Sequence, residues 1–181
     1  WQYAQLFSPV HVIFLELIMG PTCSIIYENE PMEPGTMNRP PVKSHYRFLS
    51  FRQLSLSIIQ GLLITAGCLG AGYYFMQIGE SEKTVRTIVF TTLLFSNIFL
   101  TLANRSFKYS FWQTIGYKNN LMYLILSVTT LFIFLILYVP YMRGIFDLQL
   151  ITLKNILFSL LVALVSVGWI EIWKIGRKSK P

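Results

Sequence analysis

A carboxylate and a proline lie inside the first apolar stretch of the chain, about residues 9–27, where both are costly. A charged side chain such as Glu16 costs at least about 2.5–3.5 kcal/mol to insert at mid-membrane depth. Pro21 has no N–H, so the backbone carbonyl of Leu17 loses its helical partner. A carboxylate and a freed carbonyl are oxygen ligands for a hard cation, and interrupted helices hold ions this way in transporters. The sequence therefore predicts a cation or proton site and a helix interrupted between Leu17 and Pro21.

A third candidate oxygen ligand is Asn97, a strongly polar side chain deep in a later apolar stretch. On its own, an amide at that depth is more typical of a hydrogen bond between helices. Cys23 and Cys68 also lie in apolar stretches, and we expect both to remain free thiols that pack as small hydrophobes. One thiol near Pro21 is a weak indication of a soft-metal site, because such sites gather several sulfurs.

The composition is that of a membrane protein. Of the 181 residues, 54% are apolar and 13% are charged, whereas soluble domains have about 25% charged residues. The mean hydropathy is +0.53, and apolar runs of about 20 residues alternate with basic segments. We therefore predict an all-α integral membrane bundle of five transmembrane helices, with spans at about 9–27, 54–77, 85–102, 121–138 and 154–173.

The net charge of +7 follows the expected membrane topology and does not indicate a nucleic-acid partner. Cytoplasmic loops of membrane proteins are enriched in Lys and Arg. With the N-terminus external, eleven of the 15 basic residues fall on the cytoplasmic side. The four that remain external are Lys83, Arg86, Arg143 and Lys154.

Four motifs, in order along the chain, resemble one protein family. PVHVIFLELIMGP followed by ENEPMEPGTMNRPP resembles the sixth membrane helix and the next cytoplasmic loop of P-type cation-transporting ATPases of the calcium-pump branch. TVRTIVFTTLLFSNIFLTLANRS resembles their eighth helix, LYVPYMRGIF the turn between the ninth and tenth, and GWIEIWKIGRK the tenth helix. The resemblance implies that residues 1–181 form a C-terminal membrane domain containing helices six to ten.

The resemblance also implies a role for the candidate ligands. Asn97 falls where the eighth helix of the family supplies an oxygen ligand, so Glu16, the Leu17 carbonyl and Asn97 would form part of an ion site. The Asn-x-x-Thr-Asp pattern of the sixth helix falls here on Glu16, Met19 and Gly20, so two of its three side-chain oxygens are absent. A calcium ion, another cation or a proton therefore all stay open as the transported species.

Residues 28–53 differ in composition from the apolar stretches and are predicted to form a cytoplasmic loop. The segment is rich in proline and in charged residues, and it has no apolar periodicity. By itself it is typical of an ordinary basic loop. The resemblance implies a coupling loop that docks on the phosphorylated cytoplasmic domain, although Val42 stands where a basic residue is usual. Its core would be Met37, Asn38, Arg39, Pro40 and Pro41.

The chain has no Asp-Lys-Thr-Gly-Thr phosphorylation motif and no Gly-rich phosphate loop, so it is not expected to hydrolyse ATP alone or to hold a cofactor. It starts at Trp1, and we expect a segment of a longer protein. By resemblance, the parent would be an ion-translocating ATP hydrolase of the plasma membrane that uses ATP and Mg²⁺. Its partners would be the transported cation, the lipid bilayer, and the parent's other helices and cytoplasmic domains. The alternative is a freestanding membrane permease or scaffold subunit, with Glu16 as a proton relay or a structural ion pair.

Three further expectations concern packing. His11, at the outer end of the first stretch, is predicted to lie at the membrane interface. Glu171 lies three residues before Lys174, which predicts a structural ion pair. Small residues spaced four apart in the second span allow a close helix partner, which the resemblance places outside this chain. These pairs are Ala66 with Gly70 and Gly67 with Ala71.

Overall fold

A computed structural model describes residues 6–30, 37, 51–106 and 119–178. Within these ranges the chain is helical and has no β-strand, so the all-α fold class is confirmed. Four helical segments are long and apolar enough to cross a membrane, namely Gln53–Gln77, Glu82–Ala103, Asn120–Tyr138 and Leu153–Gly176. The elements are α1 (Pro9–Phe14), a π-helical segment (Leu15–Met19), α2 (Gly20–Glu28), α3 (Phe51–Gln77), α4 (Glu82–Ala103), α5 (Asn120–Tyr138), α6 (Pro140–Ile145) and α7 (Leu153–Lys178).

The first predicted span is helical throughout, but it is divided among α1, the π segment and α2. None of the three pieces reaches membrane-spanning length by itself. The fifth membrane span therefore stays a prediction, whereas the four longer helices establish an integral membrane protein.

Helix α4 is the centre of the described structure. In the most apolar 18-residue stretch of α4, 61% of the residues are buried, whereas the same fraction is 22% in α3 and 28% in each of α5 and α7. Helices α3 and α7 pack on one side of it around residues such as Val89 and Val167. On another side, Phe90 of α4 packs with Phe14 of α1 and Ile133 of α5. Thr92 Oγ1 donates to the carbonyl of Ile88 at 2.7 Å, whereas Thr91 Oγ1 and Ser96 Oγ are buried without a partner among the described residues.

Local sequence signals explain where the helices around α4 begin and end. Ser81 caps α4 by accepting a hydrogen bond from the backbone N–H of Thr84 at 3.2 Å. Asn119 caps α5 in the same way, accepting from the N–H of Met122 at 3.1 Å. Gly79 follows α3 with a φ of 84°, a left-handed conformation that glycine adopts without strain.

The small residues of α3 face two different surroundings. A Cβ atom added at Gly67 would lie 2.3 Å from Ser166 Oγ and 3.2 Å from a methyl group of Val162, both on α7. At Gly70 the corresponding space is open. The expectation that the whole small-residue face needs a partner outside this chain is therefore wrong for Gly67 and Ala71, since Ala71 is buried in the core with α4 and α7.

His11 is completely buried, so its predicted location at the membrane interface is wrong. Its ring makes edge-to-face contacts with Phe90 and Phe146, at centroid distances of 4.4 and 5.7 Å. Its Nδ1 accepts a hydrogen bond from the backbone N–H of Ser8 at 2.9 Å. The aromatic residues that bury it lie far along the chain, and for that reason the local sequence gave no sign of the contact.

Candidate cation site

The backbone of the first span changes its hydrogen-bond spacing at the predicted interruption. From Leu15 to Met19 the helix is a π-helix, and the N–H of Gly20 donates to the carbonyl of Leu15, five residues earlier. The prediction that the first span is not a continuous α-helix is confirmed, but the irregular segment is Leu15–Met19 and not Leu17 to Pro21, because the α-helix resumes at Gly20. Single π turns inside α-helices are rare and occur frequently at functional sites.

Glu16 lies within the π segment, and its side chain is exposed. The Leu17 side chain is also exposed, with 70% of its surface accessible. Among the residues that the structure describes, Glu16 forms neither a hydrogen bond nor an ion pair, and no group of three or more His, Cys, Asp or Glu side chains is present. A complete cation site would thus need ligands beyond the described residues.

Asn97 lies on α4 and is half-buried. Its backbone carbonyl accepts a hydrogen bond from Thr101 Oγ1 at 2.8 Å. The hydroxyl oxygen of Thr101, Oγ1, lies 2.9 Å from Cys23 Sγ. Because the single hydroxyl proton of Thr101 is donated to Asn97, the Cys23 thiol is the donor to Thr101. The structure thus links the helix that follows Glu16 to the turn of α4 that carries Asn97, but it does not bring Glu16 and Asn97 into contact.

Cys23 and Cys68 are both free thiols. The small cavity beside Cys23, between α2, α4 and α5, measures about 10 Å³. That volume holds about one water molecule at most. The Cys23 contact is therefore a packed, hydrogen-bonded junction between helices. A second contact of the same kind, from the Tyr27 hydroxyl to the Thr101 carbonyl at 3.4 Å, lies one turn further along α2.

Beyond α2, a buried ion pair joins chain segments that are distant in sequence. Arg105 Nη2 lies 2.7 Å from Glu30 Oε1, and Arg105 Nε donates to both carboxylate oxygens at 3.1 Å. The Arg105 side chain is 0% exposed and that of Glu30 is 11% exposed. Asn119 Nδ2 donates to Glu30 Oε2 and to the Ile26 carbonyl, each at 3.1 Å. We call Glu30, Arg105 and Asn119 the clasp.

Sequence reasoning missed the clasp, because it counted Arg105 only as one of the eleven basic residues on the cytoplasmic side. The one available signal is the position of Glu30 and Arg105, each just beyond a helix end predicted to be cytoplasmic. A second ion pair at that end was predicted and is confirmed. Lys174 Nζ lies 3.0 Å from Glu171 Oε1 and also donates to the carbonyl of Ala103.

The predicted coupling-loop residues are described only in part. Met37 lies in a turn with 81% of its surface exposed. The other four, Asn38, Arg39, Pro40 and Pro41, lie outside the described residues, so their role stays a prediction.

A family model described as "Cation transporting ATPase, C-terminus" matches residues 4–176. The chain belongs to this family. Two curated relatives agree with that assignment. Calcium-transporting ATPase 1 of Yarrowia lipolytica is 26% identical over 165 residues, which cover 90% of this chain and 17% of the relative. Calcium-transporting ATPase 1 of Saccharomyces cerevisiae is 26% identical over 163 residues, which cover 86% of this chain and 16% of the relative.

The chain spans about a sixth of the length of these relatives. It is a C-terminal membrane region similar to that of calcium-pump-like P-type ATPases. The family resemblance carried by the four sequence motifs is therefore confirmed. This assignment agrees with the four long apolar helices and with the absence of strands from the described ranges.

Proposed function

We propose that this region supplies part of the cation site of an ATP-driven pump, with calcium as the first candidate substrate. The observation that carries the proposal is the π segment at Glu16, within a chain matched by the cation-transporting family from residue 4 to residue 176. A carboxylate on an irregular helical turn combines charge with accessible backbone carbonyls, which is the ligand chemistry of hard cations.

In this proposal Glu16, the Leu17 carbonyl and Asn97 are ligands of the cation. Calcium takes six to eight oxygen ligands, so helices outside this chain supply the others. The rest of the parent protein supplies the phosphorylation site and binds ATP and Mg²⁺, and the loop around Met37 docks on its cytoplasmic part. The membrane in which it acts is the plasma membrane.

The test is calcium-dependent phosphorylation of the complete parent protein in sealed membrane vesicles. We expect radiolabelled ATP to phosphorylate the protein only when calcium is present, and ATP to drive calcium uptake that a calcium ionophore reverses. Calcium uptake that needs an ion gradient but no ATP would contradict the proposal and would instead indicate a permease.

A further inference from the structure

The clasp lies between the two parts of the proposed pump that must communicate. Glu30 follows α2, fourteen residues after Glu16 and seven before Met37. Arg105 follows α4, on which Asn97 lies about 9 Å before the helix end at 1.5 Å per residue. The clasp therefore joins the start of the predicted coupling loop to the ends of the helices that carry the candidate ligands.

The contacts of α2 differ from those of the π segment that precedes it. Cys23 and Tyr27 bond to Thr101 of α4, and beyond α2 Glu30 bonds to Arg105. Asn119, directly before α5, donates to Glu30 and to the Ile26 carbonyl and so connects α5 to the same contacts. These contacts fix residues 20–30 to the end of α4. The π segment that precedes residue 20 leaves the Glu16 side chain exposed.

The chemistry of the clasp suits a fixed connection between segments. The Arg105 guanidinium contacts both oxygens of the carboxylate, a forked geometry that a lysine ammonium cannot reproduce. Arg105 Nη1 is also buried without a partner among the described residues. Glu30 is therefore the group that compensates the buried positive charge of Arg105.

We propose that Glu30 and Arg105 are positioning residues that transmit movement between the coupling loop and the cation site. This inference rests on the proposed function. Neither residue is a cation ligand, because Arg105 has no acceptor atom and both carboxylate oxygens of Glu30 accept hydrogen bonds from Arg105. Breaking the pair should therefore slow the step that couples ion binding to phosphorylation and leave the ligands of the ion in place.

The experiment uses the complete parent protein in membrane vesicles, with calcium as the probe. Glu30→Gln and Arg105→Lys are compared with Glu171→Gln, which removes a carboxylate from another partly buried ion pair at the same end of the bundle. Two quantities are measured for each: the phosphorylation rate at saturating calcium, and the calcium concentration that gives half of the maximal phosphorylation.

We expect both clasp variants to lower the phosphorylation rate about tenfold while the half-saturating calcium concentration changes less than about threefold. Glu171→Gln should change both quantities less than about twofold, because Glu171 and Lys174 are three residues apart on one helix and their pair does not reach the predicted coupling loop. If Glu30→Gln does not accumulate, Glu30→Asp replaces it, since it keeps the charge but is too short for the forked contact. Its expected rate loss is about threefold, again with unchanged calcium dependence.

The inference would be overturned if the clasp variants were phosphorylated at the wild-type rate. It would also be overturned if Glu171→Gln lowered the phosphorylation rate as much as the clasp variants do. A parallel loss of calcium affinity would also overturn it, because the pair would then only maintain the shape of the site. If the wild-type protein were phosphorylated without calcium, the proposed function would fail instead.

Discussion

Several charged residues in this chain are held by partners that lie far away in the sequence. Asp147, in the connection between α6 and α7, accepts from Lys83 Nζ at 2.8 Å and also pairs with Arg86. Its backbone has a φ of 47°, a left-handed conformation that aspartate tolerates better than most residues. The hydrogen bond from Lys83, followed by that from Arg86, lowers the pKa of the Asp147 carboxyl below its usual value.

The lowered pKa of Asp147 predicts an acid-sensitive contact. The folded state favours the charged carboxylate, so this stabilisation is present at neutral pH and is lost as the pH falls through the lowered pKa. We expect wild type to be more stable than Asp147→Asn at pH 7, with the difference disappearing in strong acid. Thermal unfolding of both proteins in detergent across this range checks it. A stability difference that is independent of pH would show that the charge of Asp147 is irrelevant.

Local sequence predicted some of these residue contacts and could not predict others. Glu171 and Lys174 are three residues apart on one helix, so their pairing follows from helical geometry. Glu30 and Arg105 are 75 residues apart, and tertiary contacts such as those of Cys23 and Tyr27 with Thr101 bring them together. His11 was misplaced for the same reason. A residue buried by remote aromatic side chains looks, in sequence, like an ordinary polar residue at the end of a helix.

At the scale of helices, the interruption of the first span was predictable because it has a local cause. Pro21 cannot donate a backbone hydrogen bond, and Gly20 has low helix propensity. The chain forms a π segment at Leu15–Met19 and returns to an α-helix at Gly20. The partner of Gly67 was not predictable locally, since a glycine shows that a close neighbour is allowed and does not show which helix supplies it.

The two faces of α3 predict different responses to one substitution. Gly67→Leu would force its side chain into Ser166 and Val162 of α7, so we expect it to destabilise the 181-residue chain by about 1–3 kcal/mol. Gly70→Leu enters open space in this chain and serves as the matched control. Unfolding in detergent micelles measures both. Equal losses of stability would argue against α7 as the neighbour of Gly67.

At the scale of the whole molecule, the described ion pairs fall into two groups at opposite ends of α4. One group joins Arg86, near its start, to Asp147, and the other joins Arg105, just after its end, to Glu30. When successive spans alternate in direction, the segments that connect them meet at the two ends of the bundle, and the two groups of ion pairs lie at these ends. The charge pattern predicts that the Arg105 end is cytoplasmic.

The predicted topology is tested with single cysteines introduced in a background with Cys23 and Cys68 replaced. In sealed right-side-out vesicles, a membrane-impermeant thiol reagent should label Glu80→Cys. It should label Lys43→Cys and Lys178→Cys only after the membrane is permeabilised. Labelling of Lys43→Cys and Lys178→Cys from opposite sides would exclude the four spans predicted between these two positions.

The central claim is that Glu16, on the π segment, contributes to a cation site, and it is tested most directly by Glu16→Gln in the complete parent protein. Gln keeps the size of the side chain and removes its charge. We predict that half-maximal phosphorylation from ATP will need at least about tenfold more calcium, a loss of about 1.4 kcal/mol in binding free energy. Saturating calcium should restore the wild-type level. A folded Glu16→Gln protein with unchanged calcium dependence of phosphorylation and transport would contradict the claim and make Glu16 a structural residue.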